Sequence, residues 1–590
     1  MMKKQRRKTG NLRRVIGMML PHWTALLLCA GCVLLVNLSE LAKPYIQKII
    51  MDDFLLGDAV QRGLYSVTGM SILYLIAVVL ASVMTIIQAN VMNGVAQRIM
   101  MQLRHRVFKH IQLMPLRLLD KFSAGRLITR ATNDVEALNE LFTDVVLNLF
   151  KDIFLLIGLV FVMVQLDWRL ALLSFTALPV IGVFVFLVRT KLRRNFQIVK
   201  SLIGQINGFF AENISGMRLV QIFNRQKEKY QEFKKLNERY YKGTLIQITL
   251  NSLMMPVIEI INNLVLALLI WWGLGKMGVG TLALGTLYAF TNYVKQFFQP
   301  ISDLAEKYNT IQSASVSADR IYELLDQEDQ QERLDQGDPV ERFLGEVTFE
   351  HVWFAYTRDQ WVLKDVSFVI KPGQRVAFVG ATGAGKTTII SLITRFYDIQ
   401  RGRILIDGKD IRTMRLRDLR RYVSVVLQDV FLFSGTIAEN VRLNSPIPDE
   451  RVEQALELSC ARGFIDELPG GMAHPVTERG STFSAGQRQL LSFARAIAHD
   501  PAVFVLDEAT ANIDTRTEML IQQSINNVSA GRTTIIIAHR LSTIRACDQI
   551  MVMDHGRLME QGTHEELLEQ GGIYAHLHEA QFTLMQHEAS

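Results

Sequence analysis

The 590-residue chain has 49% hydrophobic residues and a mean hydropathy of +0.17, which is too apolar for an ordinary soluble enzyme. Its length allows two to four domains, and we expect membrane-spanning segments among them. The net charge of +7 is small for this length, and the four cysteines do not suggest a disulfide framework.

The first fourteen residues carry much of the positive charge. No acidic residue occurs there, and the basic ones are Lys3, Lys4, Arg6, Arg7, Lys8, Arg13 and Arg14. A tail of this composition binds nucleic acid in some proteins, but here an apolar stretch follows it, which favours a cytoplasmic flank under the positive-inside rule. No cleavable signal peptide is expected, because the apolar stretch lacks a small-residue exit site.

Six apolar runs are long enough to cross a membrane as helices, which takes about 20 residues. They cover residues 23–46, 66–90, 144–166, 169–188, 251–273 and 282–301. From a cytoplasmic N-terminus, six crossings return the chain to the cytoplasm. The stretches between the second and third runs and between the fourth and fifth keep helical periodicity, so these helices should extend well into the cytoplasm.

Each of these two excursions contains a candidate docking element. The first covers Pro115 to Ile128 and the second covers Asn207 to Phe223. Both mix aromatic, small and basic side chains, which suits a partly buried polar interface. An ordinary corner of a helical hairpin is the alternative.

Polar residues inside the runs are the best functional indicators of this half, because an ionisable group in hydrocarbon is costly unless it faces a cavity or a partner. Glu259 and Asn263 share one helical face, following Pro256, which can kink the helix. We expect a polar stripe facing a substrate cavity. The candidate cavity residues are Glu40, Glu259, Asn263, Asn292 and Gln296, with Asn37, Asn262 and Tyr293 beside them. Interhelical hydrogen bonding without a ligand is the open alternative for each.

The stretch from Arg375 to Ser391 is the strongest motif in the chain. An apolar strand enters a loop in which glycines let backbone N–H groups cradle phosphate oxygens, and the following helix adds free N–H donors and the positive end of its dipole. Lys386 supplies a charge for the β- and γ-phosphates, and the Thr387 hydroxyl can bind Mg²⁺. The stretch therefore predicts a nucleotide site.

Further motifs follow in order along the chain. A second apolar strand ends in Asp507, which on a P-loop fold is positioned for Mg²⁺, and in Glu508, which can polarise the attacking water. Ser484 introduces a helical run whose N–H groups can contact an anion. His539 ends another apolar strand and can hold the γ-phosphate.

These motifs together resemble those of ABC exporter half-transporters over essentially the whole chain. The resemblance implies a six-helix membrane bundle with long cytoplasmic extensions over residues 1–325, a linker over 326–343, and an α/β P-loop ATPase domain with an antiparallel β subdomain and a helical subdomain over 344–590. The implied ATP-binding residues are Tyr356, Gly380, Thr382, Gly383, Ala384, Gly385, Lys386, Thr387, Thr388, Gln428, Ser484, Gly486 and Gln487. The implied Mg²⁺-binding residues are Thr387, Gln428 and Asp507. The implied catalytic base is Glu508, and the implied switch histidine is His539. Two further family loops are matched by Glu478 and by Asn512–Asp514.

The signature sequence departs from the family pattern. Where the family usually has Leu-Ser-Gly-Gly-Gln, this chain has Phe483-Ser484-Ala485-Gly486-Gln487. Ala485 places a methyl group where the backbone must approach the γ-phosphate of ATP held by the opposite subunit, which weakens one composite site. Since Gly380–Thr388, Asp507 and Glu508 keep the family pattern, the chain resembles the catalytically complete member of a heterodimeric exporter, with a homodimer possible.

The predicted function is ATP-driven export of lipophilic or cationic amphiphiles across the cytoplasmic membrane, together with a second half-transporter. A membrane half rich in methionine and aromatic residues suits such cargo. A lipid flippase of the same architecture is the close alternative, and a non-pumping ATP-gated channel or regulatory subunit is a third. The fused spans exclude a soluble ABC protein that acts on nucleic acid.

Overall fold

The computed structural model describes residues 2–55, 65–277, 283–327, 334–357, 360–507, 515–537 and 541–579. The chain divides into two compact units. The first contains Met1–Ile111 and Ala124–Gln327, and the second contains Gln112–Ser123 and Glu328–Ser590.

The described part of the first unit is built from α-helices. They are α1 Met2–Gly17, α2 Trp23–Ile49, α3 Val67–Gln112, α5 Ala124–Ala131, α6 Asn133–Glu140, α7 Leu147–Leu166, α8 Trp168–Phe175, α9 Ala177–Ser215, α10 Met217–Ile222, α11 Gln226–Met277 and α12 Leu284–Leu325, while the short α4, Leu116–Leu119, belongs to the second unit. Two π-helical segments, Ile50–Leu55 and Leu141–Val146, follow α2 and precede α7.

Five helical stretches among the described residues are long and apolar enough to cross a membrane: Gly10–Leu55, Val67–Gln112, Ala124–Leu166, Trp168–Ser215 and Gln226–Trp272. They contain the first five predicted runs except for residues 66 and 273, each of which is the end residue of a run. The sixth predicted run falls at the start of α12, where Asn292, Lys295 and Gln296 make the helix less apolar, and it stays a prediction. Because α11 alone is about 78 Å long at 1.5 Å per residue, it extends well beyond a hydrocarbon core of about 30 Å, as expected.

The long helices are held together by polar contacts as well as by apolar packing. Between α9 and α11, the Asn195 side-chain amide donates to the carbonyl oxygen of Gly243 at 2.7 Å. Between α6 and α12, the buried Asp134 accepts a hydrogen bond from Ser317 at 2.9 Å. These bonds fix the helix pairs in register in the parts that extend from the apolar spans.

The described part of the second unit contains three β-sheets. The strands are β1 Val347–Phe354, β2 Leu363–Ile370, β3 Arg375–Val379, β4 Arg401–Ile406, β5 Lys409–Asp410, β6 Val423–Val426, β7 Gly435–Thr436, β8 Pro475–Val476, β9 Val503–Asp507, β10 Thr533–Ile537, β11 Gln549–Asp554 and β12 Arg557–Gly562. One sheet has the antiparallel order β2-β1-β4-β5, and the central sheet has the order β12-β11-β3-β10-β9-β6. A short third sheet pairs β7 with β8.

Helices cover the central sheet and form a separate helical region. They are α13 Lys386–Ile393, α14 Leu416–Tyr422, α15 Ile437–Arg442, α16 Asp449–Leu458, α17 Arg462–Asp466, α18 Ala485–Ala498, α19 Thr515–Ser529, α20 Leu541–Arg545 and α21 His564–Glu569. Strands β6, β9, β10, β3 and β11 run parallel, so their carboxyl ends meet at one edge. The predicted α/β core with an antiparallel sheet and a helical subdomain is confirmed.

Candidate functional site

The candidate nucleotide site begins where β3 ends and α13 starts. The connecting loop contains Gly380 and Gly385, which adopt φ values of +147° and +103° that other residues rarely adopt. A side chain on Gly380 would collide with the backbone oxygen of Met553, and one on Gly385 would meet the side chain of Leu363. The loop can therefore wrap tightly only with glycine at these two positions.

Lys386 is folded back into this loop. Its Nζ donates to the backbone oxygens of Gly380 at 2.6 Å and Ala381 at 3.1 Å, and the residue is buried. A lysine ammonium in the bend of a glycine-rich loop is a fixed positive charge beside free backbone N–H groups. The loop thus fits a polyphosphate chain. Of the other predicted residues in this loop and at the start of α13, Thr382, Gly383 and Thr387 are exposed, and Ala384 is buried.

Two strands deliver further polar groups to the same edge of the central sheet. Asp507 is the last residue of β9, and burial raises the pKa of its carboxyl while the Lys386 ammonium lowers it. β6 pairs with β9 in parallel, with Val426 opposite Leu506, so the exposed Gln428 follows β6 at the edge where Asp507 ends β9. The structure therefore brings Lys386, Asp507 and Gln428 to one region.

Tyr356 offers an aromatic surface in the second unit. Its residue is 48% exposed, and its hydroxyl lies 3.2 Å from the hydroxyl of Thr388 on α13. The ring packs edge-on against Phe354, with centroids 4.8 Å apart, and against Tyr397, with centroids 5.0 Å apart. These contacts orient the ring and leave much of its residue accessible to a planar ligand.

Sequence reasoning missed Tyr397. Its hydroxyl hydrogen-bonds the carboxylate of Asp120, which follows α4 in the segment Gln112–Ser123. Burial raises the pKa of Tyr397, and the Asp120 carboxylate raises it further, so the phenol stays protonated and donates. Asp120 lies in the candidate docking element Pro115 to Ile128, but the only signal at Tyr397 was an aromatic residue shortly after the phosphate loop helix.

The signature residues form the N-terminus of α18. The Ser484 side chain accepts from the backbone N–H of Gln487 at 3.2 Å, and the Gln487 side chain accepts from the N–H of Ser484 at 2.9 Å, which is a capping box. Gly486 is buried, whereas Ala485 is exposed. Neither Ser484 nor Gln487 bonds the phosphate loop within the described chain. Glu478, which precedes the signature, is also exposed.

Several predicted residues lie outside the described residues. They are the base candidate Glu508, the loop Asn512–Asp514 and the switch histidine candidate His539.

The polar residues of the membrane unit fall into two groups. Asn37 and Tyr293 are buried and bond other helices, since Asn37 donates to the oxygen of Lys151 at 3.0 Å and Tyr293 donates to that of Leu41 at 2.7 Å. For these two residues, the structure shows interhelical hydrogen bonds, which was the alternative left open by the sequence. Glu40 is partly buried and pairs with Lys43 at 2.8 Å.

The remaining candidates lie on α11 and α12. Glu259 and Asn263 are exposed on α11, and Glu259 makes no ion pair or hydrogen bond with any described residue. On α12, the Asn292 amide donates to the oxygen of Tyr288 at 3.2 Å. Gln296 lies in the next turn and has a buried side-chain oxygen without a hydrogen-bond partner in the described structure.

Two protein-family models match the chain. The model described as ABC transporter transmembrane region matches residues 26–301, and the model described as ABC transporter matches residues 363–511. The solved structure of a bacterial Atm1-family ABC exporter with ATP bound is similar at a TM-score of 0.77 and 29% identity, covering 96% of this chain and 98% of that one.

Two relatives illustrate the range of named functions. The chain is 42% identical to YheH of Bacillus subtilis, a probable multidrug resistance ABC transporter ATP-binding/permease protein, over 82% of this chain and 72% of that protein. It is 33% identical to the ATP-dependent lipid A-core flippase of Syntrophus aciditrophicus, over 98% of this chain and 96% of that protein.

The geometry and these similarities lead to one assignment. A glycine-rich phosphate loop at the edge of a parallel sheet follows a membrane unit of long apolar helices, and both parts match ABC transporter models. The protein is thus an ATP-binding, multi-pass protein of the inner membrane with a cytoplasmic ATPase that drives transport, and proteins of this kind work as dimers. The chain belongs to the ABC exporter family, as a half-transporter with one membrane domain and one ATPase domain.

Proposed function

We propose that this half-transporter exports lipophilic or cationic amphiphiles, as in multidrug efflux. Glu259 is the observation that carries the proposal, because it is an exposed carboxylate in an apolar helix and has no described partner. Facing lipid, such a group costs roughly 2.5 to 3.5 kcal/mol, so it is expected to face a water-filled cavity. A carboxylate in a membrane half rich in methionine and aromatic residues is suited to an amphiphilic cation.

Glu259→Gln is expected to lower transport of a cationic amphiphile about threefold to tenfold, because a charge-assisted contact is replaced by a neutral one. Transport of a neutral amphiphile of the same size should change less. The measurement is ATP-driven uptake of both probes into inside-out proteoliposomes containing the assembled transporter.

Glu238→Gln is the matched control, since Glu238 is exposed on the same helix outside the apolar run. It should leave both transport rates unchanged. An equal loss for cationic and neutral probes in Glu259→Gln would mean that Glu259 makes a structural hydrogen bond, and the cation preference would be withdrawn.

A lipid flippase is the second candidate function. The similarity to a lipid A-core flippase extends over 98% of this chain, which favours keeping lipid as an alternative cargo. ATP-dependent movement of fluorescent phospholipids between leaflets, without uptake of soluble cationic amphiphiles, would identify the flippase as the better assignment.

At the nucleotide site, we propose that Gly380–Thr388 and Tyr356 bind ATP and that Thr387, Gln428 and Asp507 hold Mg²⁺. The burial of Lys386 within the loop and the meeting of Asp507 and Gln428 at one sheet edge support this. Bound Mg²⁺ would neutralise charge on the β- and γ-phosphate oxygens. Ser484, Gly486 and Gln487 are proposed to contact ATP held by the opposite subunit.

Tyr397 is proposed to orient the adenine-binding ring of Tyr356. Tyr397→Ala is expected to weaken ATP binding about threefold to tenfold, because Tyr356 loses its edge-on neighbour and such aromatic pairs contribute about 0.5 to 1.5 kcal/mol. Tyr397→Phe keeps the ring and should retain ATP affinity. Titration with a fluorescent ATP analogue measures the ATP affinity of both variants. If Tyr397→Phe and Tyr397→Ala weaken ATP binding equally, the effect comes from the hydrogen bond of the Tyr397 hydroxyl to Asp120 and not from the ring.

A further inference from the structure

Two contacts set the register between α2 and α12. The backbone N–H of Gly285, in the first turn of α12, donates to Asp52 just after α2 at 2.5 Å. Eight residues further along α12, the Tyr293 hydroxyl donates to the oxygen of Leu41 at 2.7 Å. Because the partner position on α2 falls as the position on α12 rises, the helices are antiparallel here, and Lys295 lies at the level of the α2 turn that contains Glu40.

This register places Lys295 away from both ends of α2. At about 1.5 Å per residue, Glu40 lies about 26 Å along α2 from Trp23 and about 14 Å from Ile49. Both distances exceed the reach of a four-carbon lysine stem, so the Lys295 ammonium cannot escape to either end of the helix.

The charge of Lys295 is not compensated within the described chain. Its side chain is exposed and forms no hydrogen bond or ion pair with any described residue. The nearest acid on α2, Glu40, already pairs with Lys43 at 2.8 Å. An ammonium at this depth facing lipid is costly, so Lys295 is expected to face a ligand or a partner.

The carboxylate of Glu259 lies on the helix that packs beside this part of α12. Ile258, its neighbour on α11, belongs to the same buried apolar cluster as Tyr293 and Val294 of α12. Glu259 and Lys295 do not pair with each other. Two opposite charges, each without a partner among the described residues, therefore lie on two helices that pack together.

We propose that Lys295 binds an acidic group of the cargo, so that the transporter favours zwitterionic amphiphiles, whose basic group is bound by Glu259. This rests on the proposed export of amphiphiles and narrows its substrate class. A carboxylate or phosphate on the cargo would provide the charge-assisted hydrogen bond that Lys295 lacks in the chain alone.

Two dyes that differ by one ester test this proposal in proteoliposomes of the assembled transporter. Rhodamine 110 carries a free carboxylate, whereas rhodamine 123 is its methyl ester and lacks that negative charge. Lys295→Gln is expected to lower kcat/KM for rhodamine 110 uptake roughly fivefold to tenfold, as for loss of a charge-assisted contact, and to affect rhodamine 123 less than twofold. Lys295→Arg should restore rhodamine 110 uptake, and Lys242→Gln, exposed on α11 outside the apolar run, is the control.

A third probe, fluorescent lysophosphatidylcholine, distinguishes a lipid phosphate from a drug carboxylate as the acidic group. Selective loss of this probe alone in Lys295→Gln would support the proposal with lipid as the cargo. Equal loss of all probes, or loss of dimer in Lys295→Gln on size-exclusion chromatography, would overturn it and indicate that Lys295 pairs with the partner subunit. If the wild-type transporter moves none of the three probes, the proposed export of amphiphiles is wrong. That outcome differs from a failure of the Lys295 proposal, in which the wild-type transporter still moves the probes.

Discussion

Replacing Glu508 by glutamine is expected to leave ATP binding intact and to lower hydrolysis by about 10²- to 10⁴-fold, because a general base typically contributes that much. This corresponds to roughly 3 to 5 kcal/mol of barrier. Glu508 follows Asp507, the last residue of β9, whose strand end lies at the edge that also holds Gln428. Glu508 itself lies outside the described residues.

Binding and turnover must be measured separately for this variant, by retention of labelled ATP and by phosphate release from the purified complex. Glu478→Gln is a suitable control, since Glu478 is an exposed glutamate of the same domain that is not proposed to act as a base. If Glu508→Gln keeps more than half of the ATPase rate, Glu508 is not the base.

The same variant bears on the non-pumping alternative. A gate needs nucleotide binding more than turnover, so an ATP-gated channel would still respond to ATP in Glu508→Gln. A pump would lose vectorial transport in proteoliposomes together with hydrolysis. Transport that persists without hydrolysis would therefore favour the gate.

The ATPase half was predictable because its chemistry follows local sequence. An apolar strand before Gly380 and another before Asp507 are buried parallel strands, and in such a sheet the residues after the strands meet at one edge. Local patterns are enough to place Lys386 and Asp507 near each other. The contact of Tyr397 with Asp120 was predictable only in part, because Asp120 lies in the candidate docking element Pro115 to Ile128 but no local pattern indicated Tyr397 as its partner.

In the membrane half, periodicity indicated which residues share a helical face but not what that face meets. The sequence alone therefore could not separate Asn37 and Tyr293, which hydrogen-bond neighbouring helices, from Glu259, which has no partner among the described residues. Lys295 was overlooked because its depth depends on the register of α12 against α2, and this register is set by two contacts between distant residues.

The last prediction is that the chain works with a different half-transporter as its partner. Ala485 is the first residue of α18, and its methyl group is exposed within the chain, so any steric conflict arises only with ATP held by another subunit. In a homodimer both ATP sites would contain Ala485 and accept the same penalty. In a heterodimer the altered signature faces a partner site that mainly holds ATP, while Glu508 works against the partner's standard signature.

Expressed alone, the chain is expected to hydrolyse ATP roughly 10- to 100-fold more slowly per ATPase domain than in a mixed complex, since an extra methyl group in a close-packed site typically costs about 1 to 3 kcal/mol. Ala485→Gly should raise the ATPase rate of the lone chain about tenfold. It should change the rate of the mixed complex little, because there the site with the altered signature is not the one that hydrolyses ATP quickly. In the mixed complex, Glu508→Gln should stop turnover by itself, because the partner would supply no equivalent base.

The measurement is basal ATPase of the lone chain, of each variant and of complexes with candidate partners. A lone-chain dimer that turns over as fast as every mixed complex and gains nothing from Ala485→Gly would make a homodimeric exporter or flippase the better assignment.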